Sequence, residues 1–313
     1  MNFERIPFNV AEYNPIFELT PVAGGHMNYV RAIATLASGE QYFIKHHDDA
    51  RFDDVVRARH SRAYLHKEHA LYRLLEKQSF AYIPSGARLH NKQTLLLEPL
   101  SLEKGWHWRA PKDNELRERY ITDVLDAVAS LEQSSIQSLP SFEPDINETA
   151  PVLVLEGWDR YIEHEEAIRA ELRAVGTADA AALSAALSDL YLRHHITPAG
   201  ELKSFSHHDL RQSNLAWHPE YGVKIVDWSW AGLGTKKADS TSFLIDLAKS
   251  DIDVTPYMGE FDEFHALRLI GFWLEHSTWP TSDGSTTVRK HQLASAITAH
   301  RLYQYVQNKN HPS

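Results

Sequence analysis

No cysteine occurs among the 313 residues, which excludes disulfides, a thiolate nucleophile and Cys-ligated zinc. No run of about eighteen apolar residues occurs either, so nothing here has the length to span a bilayer as a helix. Residues 1–5 are polar and lack the apolar core that a signal peptide needs, so a cytoplasmic protein without a membrane partner is expected. Positive charge is not in excess: a formal charge of −10 argues against general nucleic-acid binding, which needs clustered Lys and Arg. Internal repeats and low-complexity linkers are missing as well.

What is present fits a globular chain of one or two domains, with 43% hydrophobic residues and eight tryptophans to fill a core. Residues 16–45 alternate and carry the turn residues Gly24-Gly25 and Ser38-Gly39, which predicts three antiparallel strands. Residues 63–77 place Leu65, Leu71, Leu74 and Leu75 at helical spacing, and residues 94–99 read as a buried strand that ends at Pro99. Beyond residue 100 the patterns are mostly helical, over 115–133, 158–175, 178–194, 261–276 and 288–307. Between them, residues 223–226 form a short apolar strand.

The most informative segment is Ser206-His207-His208-Asp209-Leu210-Arg211-Gln212-Ser213-Asn214. It gathers a histidine, an aspartate and an asparagine on one tight loop, and Asp227 follows Asn214 by thirteen residues, at the end of an apolar run. Phosphoryl transfer from ATP needs such a set: one carboxylate to orient the attacking hydroxyl, with an amide and a second carboxylate to hold magnesium. The spacing resembles the H-x-D-x-x-x-x-N loop and metal aspartate of the kinase superfamily. With Trp228 after the aspartate in place of Phe-Gly, the chain is most similar to the aminoglycoside phosphotransferase and choline kinase family.

That resemblance implies an α+β, two-lobed protein-kinase-like fold with a small β-rich N-lobe and a larger, mainly helical C-lobe. The lobes would span residues 1–100 and 101–313, with a hinge near 97–101. It implies an ATP- and Mg2+-dependent transfer of phosphate to a hydroxyl of a small molecule. Asp209 would be the base or orienting group, His207 a loop support, and Asn214 and Asp227 the metal ligands. Arg211 would either stabilise charge on the transferring phosphoryl group or serve the loop structurally. Asp239 and Asp246 resemble the family's second aspartate-containing segment, whose aspartate helps hold the catalytic loop; Asp246 is the choice for that role, with a helix N-cap at Asp239 or Ser240 as the alternative.

In the N-lobe, Gly24, Gly25 and Asn28 resemble the G-G-x-x-N loop of small-molecule kinases, where glycines let backbone amides approach phosphates. Lys45 matches the strand lysine that contacts the phosphates, and Glu68 is the expected acidic partner, with Glu76 as competitor. Glu98 lies in the segment that resembles the hinge, where the backbone binds adenine. For the acceptor, the acidic residues Asp251, Asp253, Glu260, Asp262 and Glu263 near Tyr257, Trp273 and Trp279 would suit a cationic molecule, or else form an ordinary solvated helix face. The tract around Trp106 and Trp108 is a second candidate lining.

Two rival readings remain at this stage. A protein kinase would show Asp-Phe-Gly and Ala-Pro-Glu motifs, which do not follow Asp227. A non-catalytic nucleotide-binding pseudokinase would usually lack one of the lysine, loop aspartate or metal aspartate, and all three have candidates here.

Overall fold

The structure, a computed structural model, describes residues 16–22, 29–52, 54–134, 136, 157–197, 202–280 and 286–310. The chain divides into two units: Met1–His107 with Lys224–Ser229, and Trp108–Val223 with Trp230–Ser313.

The first unit carries an antiparallel sheet of β1 (Ile16–Pro21), β2 (Val30–Leu36), β3 (Gln41–His46), β4 (Arg88–His90) and β5 (Thr94–Leu97). The spatial order is β1-β2-β3-β5-β4. Alternation along β2 buries Ala32, Ala34 and Leu36 on one face, and Ala32 pairs with Ile44 of β3. Ala32, Ala34 and Ile44 form a small core covered by Leu19, Tyr42 and Leu96. The β2–β3 turn is closed at Gly39, whose φ of 84° is a conformation that only glycine adopts without cost.

Helix α1 (Val55–Lys77) starts two turns before the predicted residue 63. Asp54 caps it, accepting from the Val56 amide at 2.8 Å. Those first turns carry Arg57, Arg59 and Arg62 with Val55 and Val56 exposed, so no apolar stripe announces them. Further on, Leu65, Leu71, Tyr72 and Leu75 are fully buried, and burial of each contributes about 2 kcal/mol.

The second unit is mainly helical: α2 (Asn114–Glu132), α3 (Tyr161–Val175), α4 (Ala178–Ile196), α5 (Ala238–Lys249), α6 (Glu263–Ser277) and α7 (Thr287–Asn310). The predicted stripe on α2 is buried at Tyr120, Val124, Val128 and Leu131. Tyr120 meets Trp217 and Phe243 edge-on, with ring centroids 6.2 and 5.8 Å apart. Three-residue strands β6 (Ser204–Ser206) and β9 (Gly232–Gly234) pair antiparallel. Between them in sequence lie β7 (Leu215–His218) and β8 (Gly222–Ile225), the latter being the predicted strand at 223–226. α6 is locked at Gly271, where an added Cβ would overlap the indole of Trp158. The Trp158 Nε1 donates to the Leu267 carbonyl at 2.6 Å.

Candidate functional site

In the first unit, β3 and α1 present Lys45 and Glu68 to each other. The Lys45 ammonium donates to Glu68 Oε2 at 2.7 Å and to Asp227 Oδ1 at 2.9 Å. Both Lys45 and Glu68 are buried. Glu76, the competitor from sequence, turns away: it pairs with Arg73 at 2.6 Å and accepts from the Ala87 amide at 3.2 Å. Burial works against the Lys45 charge, but the carboxylates of Asp227 and Glu68 outweigh it and hold the ammonium above its ordinary range. Burial also pushes the Glu68 carboxyl up, against the pull of Lys45.

Tyr29, which the sequence did not flag, lies beneath this pair. Lys45 Nζ sits 4.8 Å from its ring centroid, and its hydroxyl donates to the Ser61 carbonyl at 2.5 Å. Burial pushes its phenol up to about 12, so it stays neutral. Nothing in composition marks one buried tyrosine among thirteen.

Asp227 reaches Lys45 because its segment is fixed to residues 80–82. The Ile225 amide donates to the Tyr82 carbonyl at 2.7 Å, the Lys224 ammonium donates to the Ala81 carbonyl at 2.6 Å, and Trp228 packs edge-on against Phe80. Asp227 has a φ of 65°, a left-handed conformation that aspartate tolerates better than most residues. Ser229 Oγ donates to its Oδ1 at 3.2 Å. The carboxylate of Glu98, in the segment that resembles the hinge, accepts from the Ser85 amide at 3.0 Å and the Ser85 hydroxyl at 2.9 Å. Gly24, Gly25 and Asn28 lie outside the described residues.

In the second unit, the loop between β6 and β7 holds Asp209, Arg211 and Asn214 together. Asn214 Nδ2 donates to the Asp209 carbonyl at 2.8 Å and to its Oδ2 at 2.9 Å. With the amide nitrogen engaged, Oδ1 is the Asn214 atom able to meet a cation. Arg211 folds back on Asp209: its terminal nitrogen donates to Oδ2 at 3.1 Å, and its Nε lies 3.1 Å from Oδ1 as an ion pair without hydrogen-bond alignment.

Two buried carboxylates clamp the loop. Asp239 accepts from the His207 amide at 2.6 Å and the His208 amide at 2.9 Å. Asp246 accepts from the Gln212 amide at 2.9 Å and from Gln212 Nε2 at 3.2 Å, and pairs with Lys249 at 3.1 Å. Asp246 thus lies where the sequence placed it. Asp239 does not cap α5, whose N-cap is Lys237 with no side-chain hydrogen bond. Burial raises the Asp239 carboxyl, whereas at Asp246 burial is outweighed by Lys249 and Gln212, which lower it.

His207 is fully buried and accepts from the Asp209 amide at 3.3 Å, a loop support. His208, given no role from sequence, adopts a φ of 64° and places its Nε2 3.1 Å from the Leu233 carbonyl. Gly234 makes room for this: a Cβ there would come within 2.5 Å of Ser206 Oγ and 2.8 Å of His208 Cε1.

Three of the five acidic residues proposed for a cationic acceptor are engaged within the protein. Asp262 caps α6, Asp253 accepts from the Thr255 amide at 2.9 Å, and Glu263 accepts from Gln307.

The chain matches the model of the phosphotransferase enzyme family (APH) over residues 18–265. No curated protein sequence matches it. Among solved structures it resembles the choline kinase LicA from Streptococcus pneumoniae, at a TM-score of 0.55 and 12% identity over 96% of each chain. It also resembles the spectinomycin phosphotransferase APH(9)-Ia in its AMP-bound complex, at a TM-score of 0.57 and 14% identity, over 93% of this chain and 94% of that one. An aminoglycoside phosphotransferase from Alicyclobacillus acidocaldarius gives a TM-score of 0.51 at 15% identity, covering 96% of this chain and 94% of its own. At these identities the likeness is one of fold, a β-sheet N-terminal region followed by a helical C-terminal region of protein-kinase type. With the family model covering most of its length, the chain belongs to the phosphotransferase enzyme family.

Proposed function

We propose that this phosphotransferase moves the γ-phosphoryl group of Mg·ATP to a hydroxyl of a small polar molecule. The observation that carries the proposal is the buried Lys45, held by Glu68 and Asp227 at 2.7 and 2.9 Å. A lysine fixed by two carboxylates loses little entropy on meeting phosphate oxygens, and its charge is maintained. The oxygen donors of Asn214 and Asp227 suit magnesium, a hard cation, and would hold it. When bound, the ion neutralises charge on the phosphates.

In the step proposed, the acceptor oxygen forms a new bond to the γ-phosphorus while the bond from that phosphorus to the β,γ-bridging oxygen breaks. Asp209 orients the hydroxyl and takes its proton, and the products are ADP, a phosphate monoester and one proton. Arg211, already on the Asp209 carboxylate, holds that group in place for the acceptor. Asp239 and Asp246 fix the backbone from which Asp209 and Asn214 project.

The test is acceptor-dependent ADP formation from Mg·ATP, with pooled aminoglycosides, macrolides, amino alcohols, sugars and nucleosides. Asp209→Asn should abolish turnover, a loss of at least about a thousandfold, while leaving Mg·ATP affinity within a few-fold. Tight Mg·ATP binding without turnover across a wide acceptor set would favour the pseudokinase reading instead.

A further inference from the structure

α6 carries a buried guanidinium that no carboxylate among the described residues pairs with directly. Arg268 is 3% exposed, yet it makes no hydrogen bond or ion pair with any described residue. Its guanidinium lies 5.7 Å from the Phe264 ring centroid, and the same ring stacks with His194 at 6.2 Å. The nearest carboxylate acting on it is that of Asp262, which is engaged in capping α6 through the His265 amide. The Arg268 Nε is buried without a hydrogen-bond partner. One turn earlier, His265 is 3% exposed with its Nδ1 also unpartnered. His208, next to Asp209 on the catalytic loop, is among the groups that hold the His265 imidazole below its ordinary range.

A guanidinium removed from water without a partner is costly, and so is an unsatisfied imidazole nitrogen. Such groups persist where a ligand completes them. We propose that Arg268 and His265 form an anion subsite for the acceptor, so that the hydroxyl-bearing substrate also carries a carboxylate or phosphate group. This rests on the reading that Asp209 serves an acceptor hydroxyl, and it places the acceptor's charged end on α6. Arg268 supplies two terminal N–H groups in the fork that matches either anion, and His265 adds one donor as a neutral imidazole. An ammonium group would meet a cation here, and Asp262 and Asp253 are engaged as helix and turn caps.

The experiment uses the full chain saturated with Mg·AMP-PNP, so that the nucleotide phosphates are already in place. Thermal unfolding is followed in glycerate, glycerol 3-phosphate, glycerol and choline, at ionic strength matched with sodium chloride. Glycerate or glycerol 3-phosphate should raise the midpoint saturably by several degrees, and the stronger of the two names the anion; glycerol and choline should not raise it. Arg268→Met should lose the shift and itself melt no lower than wild type without anion, since an uncompensated charge has been removed. Should Arg268→Met fail to fold, Arg268→Lys replaces it and should weaken the response about tenfold in concentration. No anion-specific shift in wild type, or an equal shift in the variant, overturns the subsite. In parallel, turnover of a choline-type acceptor that is unaffected at Arg268 would overturn it while leaving the kinase reading intact. Absent Mg·ATP binding would overturn the kinase reading without touching the anion result.

Discussion

At the scale of single residues, the Lys45–Glu68 pair separates a nucleotide-holding role from a purely structural one. Lys45→Met leaves the Glu68 carboxylate buried beside Asp227 with no cation between them. Breaking a buried pair in this way should cost about 3–5 kcal/mol of stability, measured by urea unfolding at neutral pH. Adding Glu68→Gln to that variant removes the stranded charge and should restore much of the stability, but not Mg·ATP binding measured by titration calorimetry. Glu76→Gln is the contrast, because that carboxylate meets a largely exposed Arg73 and the Ala87 amide. It should cost at most about 1 kcal/mol and leave nucleotide affinity unchanged. Equal loss of nucleotide binding in Lys45→Met and Glu76→Gln would remove the special role of the Lys45–Glu68 pair.

At the scale of elements, what matters is how short segments are held. Asp239→Asn keeps one acceptor oxygen but turns the other into a donor facing a backbone N–H, either that of His207 or of His208. An unsatisfied buried donor costs about 1–3 kcal/mol, and here the strain falls on the catalytic loop. The expected result is a kcat loss larger than the loss of Mg·ATP affinity, read from steady-state kinetics beside calorimetry. Gly271→Ala would normally stabilise a helix interior by about 1 kcal/mol. In α6 the new methyl group would overlap the rigid Trp158 indole, so a net loss of about 2–3 kcal/mol in unfolding experiments is expected. These two elements also show where sequence reading succeeds and fails. The loop with Asp209 and Asn214, the strand lysine and its helix glutamate follow local spacing, and all were legible. The clamp by Asp239 is a contact over 32 residues in sequence; the resemblance offers Asp239 and Asp246 for holding the loop, the choice from sequence falls on Asp246, and the local alternative for Asp239 is an N-cap. β4, β6 and β9 have three residues each, too few to show a period. The α1 start was hidden because a solvated arginine-rich turn has no apolar stripe.

At the scale of the whole molecule, buried histidines set how the helical unit responds to acid. Burial lowers His300 to about 4 despite Asp179 nearby, and lowers His194 to about 4 with His195 adding to the effect. Burial, with Arg268 and His208, holds His265 well below its ordinary value. In the unfolded chain each imidazole takes up a proton near pH 6.5, whereas in the folded chain His194 and His300 wait until about 4. The unfolded state therefore binds more protons between these limits. This contribution is fully present above about 6.5 and is lost progressively as pH falls towards 4. The buried carboxyls of Glu68 and Asp239, whose values are raised, act in the opposite sense, since the folded state binds the extra proton there. A comparison between wild type and a single variant isolates the histidine effect from that background. His300, 2% exposed on α7, is the cleanest choice. Its shift corresponds to on the order of 3 kcal/mol across the window. His300→Gln should therefore have a shallower decline of unfolding free energy between pH 7 and pH 4.5 than wild type, even if it is less stable at pH 7. Parallel curves for the two proteins would mean that His300 is protonated in the fold and that its burial does not govern the acid response.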